Sequence, residues 1–455
     1  MIKTLINAWK LPEVRKKILY TLLLIVIFRI GCVIPVPGVD SVQLAQYTAS
    51  NSNSLLGTLN IISGGALSRL SIFALSIGPY ITASIIIQLL TIAIPALERL
   101  SKEGEEGKKK INKYMKYLTV ILAAVEAFGL YMTYKGSGIY LIENTAIMLP
   151  TFILALVGGT AFLTWLGDQI SSKGIGNGIS MLIFVGIVSG LPNAGIMLYG
   201  LMKDAMGSFY WVGLLQAIAI VLGAIILLGA TVWVQEAERR IPVQYAKKVV
   251  GRKMYGGQNT HIPLKLVMAG VIPVILAMSL MTLPVMLLNF FNPTVLANPT
   301  QATGFIKVLL FTSQPSILIN SLTSQGLSIL GGLGYVIAHS ILYLLLIVGF
   351  TFFYTMITFN PVEVANNLKK NGGFVPGIRP GTPTINYIKG ILNKLTWFGA
   401  FFLGVIAIIP VMFQLTGLSI SFGGTAVLIV AGVALETVRQ LESNMVMRHY
   451  KGFLD

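Results

Sequence analysis

Four ionisable residues, Arg29, Glu126, Asp168 and Glu436, lie inside long apolar runs of this sequence. A charge surrounded by hydrocarbon is costly, so each is a functional candidate, as half of a buried pair or as part of a wet cavity wall. Asp168 and Glu436 fall near inner ends of their runs, where water is close, and Arg29 can snorkel outward. Glu126 has no such exit. Eleven residues separate Ile18 from Arg29 and ten separate Lys116 from Glu126. At about 1.5 Å each these two sit at similar depth, which makes them a candidate pair. A glutamate facing a wet cavity is the alternative.

Other chemistries lack their parts. His261, His339 and His449 have no metal-ligand spacing, and Cys32 is the single cysteine, so neither a metal centre nor a disulfide is expected. GEEGKK, at 104–109, lacks both the glycine spacing and the Ser or Thr of a phosphate loop, and reads as a solvated charged loop. Gly174, Gly176 and Gly178 follow no strand and miss the dinucleotide spacing; they suit a tight connection instead. No Ser-His, paired-Asp or His-Glu-x-x-His constellation supports an intramembrane enzyme. The chain is expected to break no covalent bond and to use no cofactor.

The elements that would position these residues are membrane spans. The chain has 455 residues, 55% of them hydrophobic and only 11% charged, where soluble domains have roughly 25% charged. Ten apolar runs are placed at 18–36, 71–94, 117–134, 149–170, 179–191, 211–234, 264–288, 335–359, 395–415 and 422–438. The net charge of +17 does not point to nucleic acid, because 28 of the 33 Lys and Arg fall in alternate connections and the two ends. The positive-inside rule therefore puts both termini in the cytoplasm. Lys10, Arg15, Lys16 and Lys17 before an apolar run look like a signal peptide, but no small-residue cleavage site follows, so a retained first span is expected.

The run before residue 94 is organised differently from the rest. Residues 57–70 are too few to cross a bilayer, while 71–94 are long enough, so 57–94 reads as one broken helix feeding an interior pathway. A helix lying on the membrane surface is the alternative for its first part. Two inner connections, 235–265 and 357–394, are long, basic and rich in Pro and Gly. They suit docking of an acidic partner through bidentate contacts and steering.

Seven stretches, in order, resemble the bacterial SecY protein-translocation channel family: FRIGCVIPVPGVD (28–40), SGGALSRLSIFAL (63–75), PYITASIIIQLL (79–90), TWLGDQISSKGIGNGIS (164–180), PLKLVMAGVIP (263–273), FNPVEVANNLKKNGGFVPGIRPG (359–381) and FGGTAVLIV (422–430). The resemblance implies an all-α polytopic membrane protein with ten transmembrane helices. Two pseudo-symmetric five-helix halves, an inverted repeat, would surround an hourglass pore with a re-entrant plug helix. The halves would be residues 1–192 and 211–441, joined by an external hinge at 193–210 and followed by a cytoplasmic tail at 442–455.

By the same resemblance the plug is 57–70, with Leu59, Ile61, Ile62, Gly64, Gly65, Leu67 and Arg69. The pore ring falls on Ile77, Ile81, Ile179, Ile183, Ile275 and Ile429. Two pairs of these are spaced i,i+4, which puts both side chains on one helix face. Thr82, Ser84, Gln88, Thr91 and Val267 would line a lateral gate between spans two and three and spans seven and eight. Val267 stands where family members commonly carry Asn. Arg239, Arg240, Lys247, Lys248, Arg252 and Arg379 would dock the SecA ATPase or a ribosome. SecE and SecG would complete a heterotrimer, with SecDF and YidC as further partners. Translocating polypeptides, signal sequences and membrane lipids would meet the channel itself, in the bacterial plasma membrane. A small-solute transporter, the rival reading, would place polar groups at its midplane, where the implied ring is isoleucine.

Overall fold

The computed structural model describes residues 9–44, 64–135, 138–142, 144–192, 195–196, 199–200, 210–245, 248–250, 253–255, 259–291, 304–313, 333–414 and 424–451. A helix overlaps each expected span: α1 Pro12–Gly31, α2 Gly78–Ala93, α4 Glu105–Tyr134, α5 Thr145–Lys173, α6 Gly178–Val188, α7 Tyr210–Glu236, α8 Ile272–Phe291, α10 Leu333–Thr358, α12 Thr382–Gln414 and α13 Gly424–Lys451. Shorter helices are α3 Pro95–Lys102, α9 Gly304–Ser313 and α11 Pro361–Lys370. Among the described residues, five helices are each long and apolar enough to cross a membrane, and α2 with α3 forms a further pair bent by 101°.

Proline decides where two of these helices start. The runs 71–94 and 264–288 were expected to be helical throughout, yet α2 begins at Gly78 and α8 at Ile272. Pro79 and Pro273 are the second residues of these helices. In a helix interior each would delete a hydrogen bond and press its ring against the carbonyl four residues back; in the first turn the missing N–H costs nothing. Residues 64–77 are instead a succession of turns, so the described part of the expected plug helix is not helical. Gly64, Gly65, Leu70 and Ser76 all have positive φ, which no right-handed helix accommodates. This stretch is stitched to the proline-rich segment after α1, with the Val36 N–H donating to the Leu70 carbonyl and the Ile72 N–H to the Ile34 carbonyl.

The charged connection 96–116 is a second departure, being helical in α3 and the start of α4 rather than a loop. Pro95 opens α3, and Gly104 at φ +77 permits the reversal into α4. The third departure is a β-sheet in a chain expected to be all-α, although the structure is mostly helical. Strands β1 Glu238–Tyr245, β4 Asn259–Lys265 and β5 Gly373–Phe374 form one antiparallel sheet in the order β4-β1-β5. Strands β2 Lys248–Val250 and β3 Lys253–Tyr255 pair separately. The two long basic connections are thus joined into one body, packed on Ile241, Leu264, Ala365, Val375 and Ile388.

Candidate functional site

All six isoleucines converge on one apolar cluster. Ile77, Ile183 and Ile429 are buried members, and Ile81, Ile179 and Ile275 pack against them half-buried. They come from four helices: Ile77 caps α2 with Ile81 one turn on, Ile179 and Ile183 lie on α6, Ile275 opens α8 and Ile429 lies on α13. Ile81 and Ile275 also pack against a second cluster, of Ile85, Val271, Leu276 and Met281 among others, so they bridge two cores. They occupy the same place in their helices, two residues after Pro79 and Pro273.

The position of α6 depends on a close backbone approach. A Cβ on Gly178 would lie 1.9 Å from the Gly167 carbonyl of α5. Asn177 caps α6 by accepting from the backbone N–H groups of Ile179 and Ser180, and Ser171 accepts from the Gly178 N–H at 2.8 Å. Gly174 and Gly176 supply the tight connection expected of them, Gly176 with φ +85.

The segment expected to be the plug reaches this cluster through Ala66. Gly64 is held by Arg29, whose Nη1 donates to the Gly64 carbonyl at 3.1 Å and to Ser189 Oγ at 2.9 Å. Leu67 is buried, Gly65 half-buried and Arg69 exposed, while Leu59, Ile61 and Ile62 lie outside the described residues. Arg29 therefore does not pair with Glu126, although their depths match. Depth leaves azimuth undefined: α1 packs on α5 and α6, whereas Glu126 sits by the first turn of α2, its Oε2 4.0 Å from where a Cβ of Gly78 would be. Glu126 Oε1 is buried with no hydrogen-bond partner among the described residues. Asp168 pairs with Lys116 at 2.5 Å, and Glu436 is exposed. Ser189 is the residue that sequence reasoning missed; its signal is a hydroxyl near the outer end of an apolar run.

At the expected gate, α8 packs against both α2 and α4. The polar groups of α2 stay on their own helix: Thr82 Oγ1 donates to the Gly78 carbonyl, Thr91 Oγ1 to the Ile87 carbonyl and Gln88 Nε2 to Ser84 Oγ. Val267 is not on the span-seven helix but in the turn before it, buried beside Gly399 of α12. Pro273 accounts for this displacement.

Arg239 and Arg240 are exposed on β1, and Arg379 is exposed in the turn between β5 and α12. Arg240 Nε reaches Glu238 Oε1 at 2.7 Å, and the Arg379 carbonyl accepts from buried Thr384. Lys248 lies in β2, while Lys247 and Arg252 lie outside the described residues. Burial holds the Lys265 ammonium below its usual range, Arg439 adds to this, and Glu436 and Glu238 oppose it. On α3 the hydrogen bond and charge of Lys102 hold the Glu98 carboxyl below the usual carboxylate range.

A model of the SecY family matches residues 71–438. The chain is 42% identical to the protein translocase subunit SecY of Streptomyces coelicolor, covering 100% of each. Among solved structures, "The structure of a protein conducting channel" is similar at TM-score 0.65 and 21% identity, with 94% of this chain and 92% of that chain covered. Sec61 in a canine ribosome–channel complex is similar at TM-score 0.60 and 20% identity, with 97% and 96% covered.

Proposed function

The chain belongs to the SecY family, and from that premise we propose that its six isoleucines form the seal of a passive channel for unfolded polypeptides. It is a channel subunit of a protein translocase, not an enzyme. The observation that carries the proposal for the seal is the convergence of Ile77, Ile81, Ile179, Ile183, Ile275 and Ile429 from four helices on one apolar cluster. A narrow apolar constriction closes by dewetting: water loses hydrogen bonds there, and an ion finds no ligands to replace its hydration. Staggered rotamers let each isoleucine yield to a passing side chain and return. The same ring can then fit around a moving polypeptide and close behind it.

The segment 57–70 is read as the plug, and the seam where α8 meets α2 and α4 as the lateral gate. In the closed seam the polar groups of α2 are satisfied within their helix, so opening it to lipid breaks none of the hydrogen bonds described. Export needs an energy source outside this chain. Exposed Arg239 and Arg240 on β1, with Arg379 in the turn after β5, suit an acidic face of the SecA motor or a ribosome, and the similarity to a ribosome-bound channel supports the latter. SecE and SecG are proposed to complete the channel, in a bacterial plasma membrane with both termini cytoplasmic, across ten spans in two halves.

Ion conductance in planar bilayers without substrate tests the seal. Asn at both Ile81 and Ile183 gives water partners worth about 1 kcal/mol each, so the resting leak should rise roughly ten- to thirtyfold. Leu at both positions preserves apolar volume and should stay nearly tight. Equal leak in all three proteins would exclude this ring as the seal.

A further inference from the structure

The segment 64–77 is fastened at its two ends by different means. From Leu70 onward it is held by backbone, through the Val36–Leu70 and Ile72–Ile34 hydrogen bonds. At Gly64 the fastening is a side chain: Arg29 places Nη1 between the Gly64 carbonyl and Ser189 Oγ, and Ser189 Oγ donates to the Gly186 carbonyl at 2.6 Å. One guanidinium nitrogen thereby ties α1, the end of α6 and the turn segment together. No carboxylate among the described residues lies within ion-pair distance of Arg29. Its charge is therefore answered by neutral oxygens, in a span where an arginine is costly.

The fit at Gly64 is close. With φ +65, a Cβ there would lie 2.8 Å from Arg29 Nη1, 2.9 Å from Ser189 Oγ and 3.0 Å from Gly186 Cα. At Gly65, φ +85, a Cβ would meet nothing within 4 Å. The backbone is thus clamped at one glycine and open at the next.

We propose that Arg29 and Ser189 are positioning residues that latch the plug segment at the Gly64 carbonyl and so hold the resting channel shut. This rests on reading 57–70 as the plug. Two hydrogen bonds from one charged donor, one to the Gly64 carbonyl and one to Ser189 Oγ, are strong enough to hold a closed state and few enough to be released together when α1 and α6 shift.

The test measures resting conductance of the reconstituted channel for the parent, Arg29→Gln, Ser189→Ala, a deletion of 57–70, and that deletion combined with Arg29→Gln. Arg29→Gln should raise the leak about tenfold, equivalent to about 1.4 kcal/mol. Ser189→Ala, which removes the Ser189 Oγ contact to the Gly64 carbonyl at 3.5 Å and leaves the Arg29–Gly64 bond in place, should raise it about threefold. The deletion should leak, and adding Arg29→Gln to it should change nothing, because the latch has lost its object; a merely structural arginine would worsen the leak in both backgrounds. Arg29→Gln as tight as the parent, or additive with the deletion, overturns the latch while leaving the plug reading intact. A deletion as tight as the parent overturns both. If Arg29→Gln fails to accumulate in membranes, Ser189→Ala decides, and an unchanged leak there overturns the latch.

Discussion

The isoleucine cluster and the β4-β1-β5 sheet both join distant parts of the chain, by opposite means. The cluster joins four helices through apolar side chains that make no hydrogen bonds, whereas the sheet joins two connections through a backbone ladder and leaves its arginines exposed. An apolar contact is non-directional, so a constriction built from it, as proposed for this cluster, can deform around whatever passes and reform afterwards. A ladder is directional and fixed in register, so Arg239 and Arg240 on it keep their spacing for the proposed partner. One region needs volume and the absence of polarity; the other needs geometry and the presence of charge.

Three substitutions should separate these requirements. The largest effect is expected from Gly178→Val, since the new Cβ would press on the Gly167 carbonyl, which is backbone and cannot rotate away. Displacing α6 removes Ile179 and Ile183 from the cluster, and a stability loss above about 3 kcal/mol is expected, read by thermal unfolding in detergent. A stable, tight Gly178→Val channel would show that the cluster does not depend on this packing.

Next is Gly373→Val, which strikes the sheet alone. Its Cβ would lie 2.9 Å from the Tyr245 ring and 3.3 Å from Leu368, where β5 pairs with β1. Losing that short ladder costs about 1–2 kcal/mol, so binding of a SecA-type motor or ribosome to membranes should weaken roughly tenfold, with resting ion leak unchanged. A rise in leak would mean that the two regions are not separable.

The smallest effect belongs to Arg379→Glu, which leaves the ladder intact and reverses one exposed charge. Association should slow a few-fold at low salt and recover toward the parent value as salt rises, because rim charges act on encounter. Salt-independent loss of binding would point instead to a broken sheet.

The sequence revealed the cluster better than the sheet. Span positions, the Gly174–Gly178 connection and the i,i+4 isoleucine pairs could be read because apolar runs and glycine spacings are local. Which of many isoleucines converge was legible only through family resemblance, since burial in a bundle and burial in a constriction use the same residue type. The sheet went unread because Gln244 pairs with Phe374, 130 positions away, and β5 has only two residues. The late starts of α2 and α8 were present in the sequence as Pro79 and Pro273, an available signal overridden by continuous hydrophobicity. The pairing proposed for Arg29 and Glu126 failed because rise along a helix fixes height and not direction.

Strand β4 ends at Lys265, the turn residues 266–271 follow, and Ile275 sits in the first turn of α8. The sheet and the constriction are therefore consecutive on one short piece of covalent chain. On the proposed reading, a pull on the sheet would reach the seal through that piece as well as through packed neighbours. If the sheet is the docking face and the cluster the seal, the turn between them is a spring in series: a stiff one would deliver the whole stroke of a docked motor to Ile275, and a slack one would absorb it. How far the ring opens for a given push would then be set by the compliance of those six residues, Val267 of the proposed gate among them.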